Sequence, residues 1–312
     1  MSAMLAPAVE ISGVTKTFGE VTAVNDLSLT VPEGSVFGFI GPNGSGKTTT
    51  IRMIVNIFYP DRGEIRVLGH AMSGARNHLI GYLPEERGLY RKMRVRALLE
   101  FFGELRGGRK VGKEVAAWLE RLDLAHCADR RVDTLSKGMS QRVQFIAAVV
   151  PEPKLLILDE PFTGLDPVSA DVLREAILDL RRRGATVILS THDMTVAETM
   201  CDHILMIFRG KKVLDGTLAS IQDEYSNDTI RVATGGGLAA LEDLPGVEKV
   251  RDLGQVQELR MALGCDPHTV LRALVERTRV TSFSVAKPSL HDIFVRIAGP
   301  AAEEVGVASN VV

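Results

Sequence analysis

Eight residues, Gly41-Pro42-Asn43-Gly44-Ser45-Gly46-Lys47-Thr48, carry the spacing G-x-x-x-x-G-K-[ST]. Residues without side chains let successive backbone N–H groups curl around phosphate oxygens, and a helix opening at the lysine adds its positive dipole end. Lys47 then places a cation on the β- and γ-phosphates, and Thr48 offers a hydroxyl to Mg²⁺. A second group stands at Leu155-Leu156-Ile157-Leu158-Asp159-Glu160, an apolar run ending in two carboxylates. A buried strand of this kind can hold the cation through Asp159 and set Glu160 to orient or deprotonate an attacking water. By itself such a run is common. Behind a phosphate loop it is the expected second half of a site for nucleoside triphosphate hydrolysis.

A third segment, Leu135-Ser136-Lys137-Gly138-Met139-Ser140-Gln141-Arg142, narrows the choice. Its Ser136 lies 23 residues before Asp159 and it opens an apolar helix, Val143 to Val150. No Asn-Lys-x-Asp guanine-reading motif occurs, which disfavours a GTPase. The segment resembles the signature of the ATP-binding-cassette (ABC) family, usually Leu-Ser-Gly-Gly-Gln. Other marks of that family stand in their order. Phe18 matches the aromatic that stacks on adenine, and Glu85, in Gly81-Tyr82-Leu83-Pro84-Glu85, sits at the Q-loop position. Gly164-Leu165-Asp166-Pro167 looks like the D-loop, and His192 looks like the switch histidine. The resemblance covers roughly residues 8 to 222. Tyr82 to Tyr90, together with the C-terminal extension, resembles one exporter-associated branch of bacterial ABC ATPases.

The resemblance implies an α/β P-loop NTPase cassette, a mixed sheet with a helical subdomain, that binds ATP and Mg²⁺. Gly41, Pro42, Asn43, Gly44, Ser45, Gly46, Lys47, Thr48 and Thr49 would then bind nucleotide, with Phe18, Ser136, Gly138 and Asp166. Thr48, Glu85 and Asp159 would face the metal, and Glu160 and His192 would be catalytic. It also implies a head-to-tail dimer in which each ATP lies between the phosphate loop of one subunit and Ser136-Gly138 of the other. A separate transmembrane permease would couple through the segment from Leu89 to Leu105. The expected location is the cytoplasm, peripheral on the inner face of the cell membrane, and the expected role is export. Soluble ABC ATPases acting on ribosomes or DNA, and a regulatory subunit with little hydrolysis, are the competing readings. The chain has neither the doubled cassette nor the long coiled coil of the former. Glu160 and His192 argue against the latter.

Two of the motifs depart from the family pattern. Lys137 and Met139 replace the usual Gly and Gln of the signature, while Ser136 and Gly138 remain. Glu85 replaces the usual Gln of the Q-loop, and its carboxylate is also an oxygen ligand but adds negative charge near the γ-phosphate.

The elements that must position these groups follow from periodicity. Val9 to Val14 and Val21 to Val31 read as antiparallel strands, Ser35 to Ile40 and Glu64 to Leu68 as further strands, and Lys47 to Ile57 as a helix. Met93 to Ala128 reads as two helices parted by Gly107-Gly108. Leu155 to Leu158 and Thr186 to Ser190 are apolar strands of the buried parallel kind, with a helix, Ala170 to Arg183, between them. After about residue 222 the composition shifts. Thr229–Ala233, Leu238–Leu244, Val247–Asp252, Val256–Met261, Pro267–Glu276 and Val280–Val285 read as βαββαβ, a small ferredoxin-like α+β domain over residues 223–300. Ser289 to Ile297 would be a final helix and residues 301–312 a flexible tail.

Composition sets outer bounds. The 312 residues carry 37 basic and 39 acidic side chains, a formal charge of −2, so nothing favours binding to nucleic acid. Three scattered cysteines (Cys127, Cys201, Cys265) suit a reducing compartment, and no apolar run is long enough to span a bilayer. The first ten residues lack the pattern of a signal peptide. Arg181-Arg182-Arg183 reads as a basic helix C-terminus, Arg91, Lys92, Arg94 and Arg96 as a solvated face, and Trp118, Leu119 and Leu122 as core.

Overall fold

The computed structural model describes residues 7–71, 78–86, 88–225, 229–262 and 264–303. The chain divides into two compact units, Met1–Gly216 and Thr217–Val312.

In the first unit, β1 (Pro7–Phe18) and β2 (Val21–Pro32) form an antiparallel pair across the Gly19 turn. They join β4 (Arg62–Val67) and β5 (His70–Ala71) in a four-stranded sheet of order β2-β1-β4-β5. Leu27, Leu29 and Val31 of β2 are buried in alternation, as expected for a strand with one face in the core, while β1 buries Ala8, Val9, Ile11 and Val14, its alternation broken at shifts of register. The second sheet contains β3 (Val36–Ile40), β6 (Ile80–Leu83), β7 (Leu155–Asp159), β8 (Thr186–Thr191), β9 (His203–Phe208) and β10 (Lys211–Gly216). Its order is β10-β9-β3-β8-β7-β6, parallel throughout except for the β10–β9 hairpin. Strands β3, β7 and β8 are buried at every residue, which accounts for their unbroken apolar runs.

Helices cover both faces of this sheet. On one side α1 (Lys47–Ile54) places Ile51 and Met53 with Phe37, Phe39 and Ile157, and this cluster continues into Val9 and Leu27 of the antiparallel sheet. On the other lie α2 (Val95–Gly107), α3 (Gly112–Arg121), α4 (Lys137–Val149) and α5 (Pro167–Arg182). Leu98, Leu119, Phe145, Leu156, Leu173 and Leu189 share that core. A short helix, α6 (Met194–Met200), follows β8. Helix α1 stops at Ile54 rather than Ile57 because Asn56 turns into the left-handed region, with φ +62°.

The second unit opens with α7 (Leu218–Tyr225), whose Gln222 Nε2 donates to the carbonyl of Pro288 at 3.0 Å. The compositional boundary at residue 222 therefore falls inside a helix that belongs, by its contacts, to this unit. Strands β11 (Thr229–Thr234), β12 (Val247–Asp252), β13 (Gln257–Met261) and β14 (Val280–Val285) form an antiparallel sheet of order β12-β13-β11-β14, the split βαββαβ arrangement. Helix α8 (Pro267–Arg277) buries Val270 and Leu274 against Ile230, Val232 and Leu259. The expected helix at Leu238–Leu244 is a 3₁₀ segment, Gly237–Leu241. Three consecutive glycines lead into it, and a stretch so short and costly to order closes as 3₁₀ turns. The last helix, α9 (Leu290–Glu303), runs beyond Ile297 into the stretch expected to be tail; residues 304–312 lie outside the described residues.

Candidate functional site at the edge of the parallel sheet

Neighbouring parallel strands end on the same edge, so the residues that follow them converge. Ile40 pairs with Thr191, Asp159 with Ser190, and Leu83 with Leu158. That register sets the loop from Gly41, then His192, then Glu160, then Glu85 along one edge of the sheet. A cavity of about 330 Å³ is lined there by Ala23, residues 43–49, Glu85, Asp159 and Glu160. A larger cavity of about 560 Å³ lies by Lys154 and Thr186, at the opposite ends of β7 and β8, and gathers none of the motif residues.

The loop has little freedom to be otherwise. A Cβ on Gly41, at φ +151°, would meet the carbonyl oxygen of Ile207 at 2.2 Å, and one on Gly46, at φ +110°, the carbonyl oxygen of Ala23 at 2.4 Å. Both are backbone atoms of neighbouring strands, so only glycine fits. Lys47 is only 6% exposed, and its Nζ donates to the carbonyls of Gly41 (2.6 Å) and Pro42 (3.2 Å). Burial lowers the pKa of this ammonium, against the opposing pull of Glu160, Asp159 and Glu85. The Ser45 hydroxyl is buried without a hydrogen-bond partner among the described residues. A buried orphan polar group in such a loop fits a phosphate oxygen.

Asp159 ends β7 with no exposure, and burial raises its pKa. Its Oδ2 accepts from Thr48 Oγ1 at 3.1 Å, while Oδ1 finds no partner among the described residues. One hydroxyl and one orphaned carboxylate oxygen suit a hard divalent cation, which takes its remaining ligands from phosphate and water. Among the described residues no three His, Cys, Asp or Glu side chains stand close enough to hold a metal by themselves.

Glu160 is 7% exposed and sits at φ +51°, an unusual backbone for a non-glycine residue. Its N–H donates to the carbonyl of Ser190 at 2.9 Å. Oε1 accepts from the His192 backbone N–H at 2.9 Å and lies 2.8 Å from His192 Nδ1, and Oε2 accepts from Thr191 Oγ1 at 3.3 Å.

The remaining sequence-derived candidates stand away from this cavity. Ser136 is the N-cap of α4, its Oγ accepting from the Met139 N–H at 3.2 Å. Asp166 is the N-cap of α5, accepting from the N–H and hydroxyl of Ser169 at 3.0 and 2.7 Å, bonds that lower its pKa. Gly138 lies over Leu165 in the same region of the chain. Phe18, 44% exposed at the end of β1, packs edge-on to Phe58 with Lys16 above its ring. None of the four lines the phosphate-side cavity.

Two residues to which the motifs assign no role matter to its shape. Gln141 and Gln144, both buried on α4, donate to the carbonyls of Pro161 (3.3 Å) and of Pro84 and Glu86 (3.4 and 3.2 Å). One helix thus braces the chain after Glu160 and on both sides of Glu85. Two glutamines at i, i+3 in an otherwise apolar helix were the available signal.

The fold and this site define a P-loop nucleotide-binding cassette. A profile described as ABC transporter matches residues 24–163, and one described as ATP-binding protein DrrA1-3-like, C-terminal domain, matches residues 216–298. An uncharacterised ABC transporter ATP-binding protein of Bacillus subtilis is 38% identical over 93% of this chain and 98% of its own length. A Nod factor export ATP-binding protein I of a Rhizobium species is 37% identical, covering 94% and 97%. Among solved structures, an ATP-binding subunit of an ABC transporter superposes with TM-score 0.66 at 28% identity, over 70% of this chain and 93% of that one. The chain belongs to the ATP-binding subunits of ABC transporters and is an ATPase. No helix among the described residues is long and apolar enough to cross a membrane.

Proposed function

We propose that the subunit hydrolyses Mg²⁺-ATP at the sheet-edge cavity and drives export through a separate permease. The observation that carries this reading is the convergence of residues 43–49, Asp159 and Glu160 on one 330 Å³ cavity, with a buried lysine and an orphaned carboxylate oxygen facing it. Lys47 and the loop N–H groups hold the β- and γ-phosphates. Thr48 and Asp159 hold Mg²⁺, with Glu85 facing the same cation, and the metal offsets phosphate charge. Glu160 takes the proton of the attacking water. His192 engages Glu160 through Nδ1, which leaves Nε2 for the γ-phosphate. Phe18 stacks on the adenine.

Ser136 and Gly138 meet the nucleotide of a second cassette in a head-to-tail dimer, which accounts for their absence from the cavity lining of their own chain, and Asp166 joins the nucleotide contacts. Export is supported by the Nod factor export relatives, similar along almost their whole length. The permease contact lies over Leu89 to Leu105, where Tyr90, Phe101 and Leu105 are 55%, 42% and 67% exposed and Tyr90 stacks on Phe102. The protein then sits peripherally on the cytoplasmic face of the membrane, with the unit ending at Gly216 as cassette and the unit from Thr217 as accessory domain.

The test is Glu160→Gln used as bait in detergent-solubilised membranes with ATP. A co-purifying polytopic subunit, with ATP-stabilised dimers and almost no phosphate release, is the expected result. Recovery of ribosomal proteins, or phosphate release at the wild-type rate, overturns the reading.

A further inference from the structure

We propose that Glu85 makes nucleotide binding obligatorily metal-dependent: the cavity accepts Mg²⁺-ATP and rejects the metal-free anion. This rests on the proposed ATP site and goes beyond it, since it concerns which charge state of the nucleotide the site selects.

Among the described residues, three carboxylates, Glu85, Asp159 and Glu160, line one cavity with one lysine, Lys47. An amide at position 85 would leave two carboxylates against that lysine; the glutamate leaves three. The loop dipoles favour an anion, so they offset part of this charge near the β-phosphate. That offset is partial, because the three carboxylates line the same cavity as the loop. A free ATP⁴⁻ placed here meets a net repulsion that grows as solvent is displaced, because charges in a partly buried cleft interact more strongly than in water.

A divalent cation reverses the balance. Asp159 is wholly buried, with Oδ1 unpartnered among the described residues, so a metal has a fixed anchor, and Thr48 Oγ1 stands 3.1 Å from the other oxygen. Glu85 follows β6, which pairs with the strand that ends in Asp159, and is an exposed residue of the cavity lining. Gln144 braces the carbonyls on either side of it, so its carboxylate enters from a held backbone. With the cation in place Glu85 attracts; without it Glu85 repels. An amide would do neither strongly. The residue therefore acts mainly on the difference between the two complexes.

The test is equilibrium binding, not turnover. ATP is titrated by calorimetry into the full-length chain and into Glu85→Gln, each with excess Mg²⁺ and with excess EDTA. The quantity read is the ratio of Kd in EDTA to Kd in Mg²⁺. We expect Glu85→Gln to lower that ratio about tenfold or more, chiefly by tighter binding in EDTA. Glu85→Asp, which keeps the charge, should keep the ratio within about threefold of the parent. Equal ratios for the parent and Glu85→Gln, or a fall in the ratio caused only by weaker Mg²⁺-ATP binding, overturn the proposal while leaving the ATP site intact. Failure of the parent to bind ATP in either condition removes the site on which the proposal rests.

Discussion

His192 meets Glu160 twice: its backbone N–H donates to Oε1 at 2.9 Å, and its ring Nδ1 lies 2.8 Å from the same oxygen. Thirty-two residues of sequence separate them, and a helix intervenes. Adjacent parallel strands β7 and β8 remove that separation, and the left-handed backbone at Glu160 turns its carboxylate back toward β8. The pair behaves as one unit. Replacing Glu160 by Gln or His192 by Ala should each lower the rate of phosphate release by about 10²-fold or more. The double variant should fall little further, because each single change already disables the other residue. Phosphate-release assays on the three variants check this; multiplicative losses would show that the two act independently.

Lys47 and Asp159 are both buried charges whose pKa values burial shifts toward the neutral form. For Asp159 the folded-state pKa lies above 3.8. Its burial therefore costs stability above the unfolded value, where the unfolded state is ionised, and costs nothing below it, where both states are protonated. Asp159→Asn should raise Tm at pH 7 in the absence of nucleotide, by about 2–4 °C for each kcal/mol relieved. The gain should shrink as pH falls toward 4, and Mg²⁺-dependent ATP binding should be lost. Thermal melts across pH measure it.

For Lys47 the folded-state pKa lies below 10.5, so the sign is mirrored. The penalty is present below 10.5, where the unfolded state is charged, and is relieved as pH rises from the folded value toward 10.5. Lys47→Met should leave Tm at pH 7 unchanged or higher while weakening ATP binding at least about tenfold. Calorimetric titration beside a melt distinguishes this from simple misfolding, which would lower both.

Gln144 offers a structural test of the brace across Glu85. Its Nε2 serves two carbonyls, but its buried Oε1 has no partner among the described residues. Gln144→Met removes the orphan along with the bonds, so stability should change by no more than about 1 kcal/mol. The amides of residues 84–86 should nonetheless exchange hydrogen about tenfold faster in the nucleotide-free protein. Unchanged exchange there would show that the loop is held by other means.

The second unit has its own core, and damage there should stay local. Leu259→Ala, a truncation at a fully buried position among Ile230, Val232 and Val270, should cost that unit about 2–5 kcal/mol. ATP affinity should remain within twofold of the parent. A larger loss, read by the same titration, would mean that nucleotide binding depends on the C-terminal unit.

Much of the phosphate-side cavity was legible in the linear sequence, and for a local reason. Residues 43–49 are contiguous, and their chemistry resides in backbone N–H groups that glycines expose. Spacing alone therefore identifies them, as it does the apolar run that delivers Asp159 and Glu160 to a strand end. The βαββαβ order was equally readable from period and turns, apart from the glycine-weakened segment at Gly237–Leu241. What only the tertiary structure decided is who meets whom. The order β3-β8-β7-β6 sets Glu85 and His192 on either side of Glu160, and no spacing rule contains that order. Burial from all sides orphaned one oxygen of Asp159 and desolvated Lys47. The same packing assigned Ser136 and Asp166 to helix caps and turned two inconspicuous glutamines of α4 into braces. Contiguous motifs encode the groups that touch phosphate; strand order and solvent exclusion, properties of the whole fold, set the charge that those groups carry and the partners they keep.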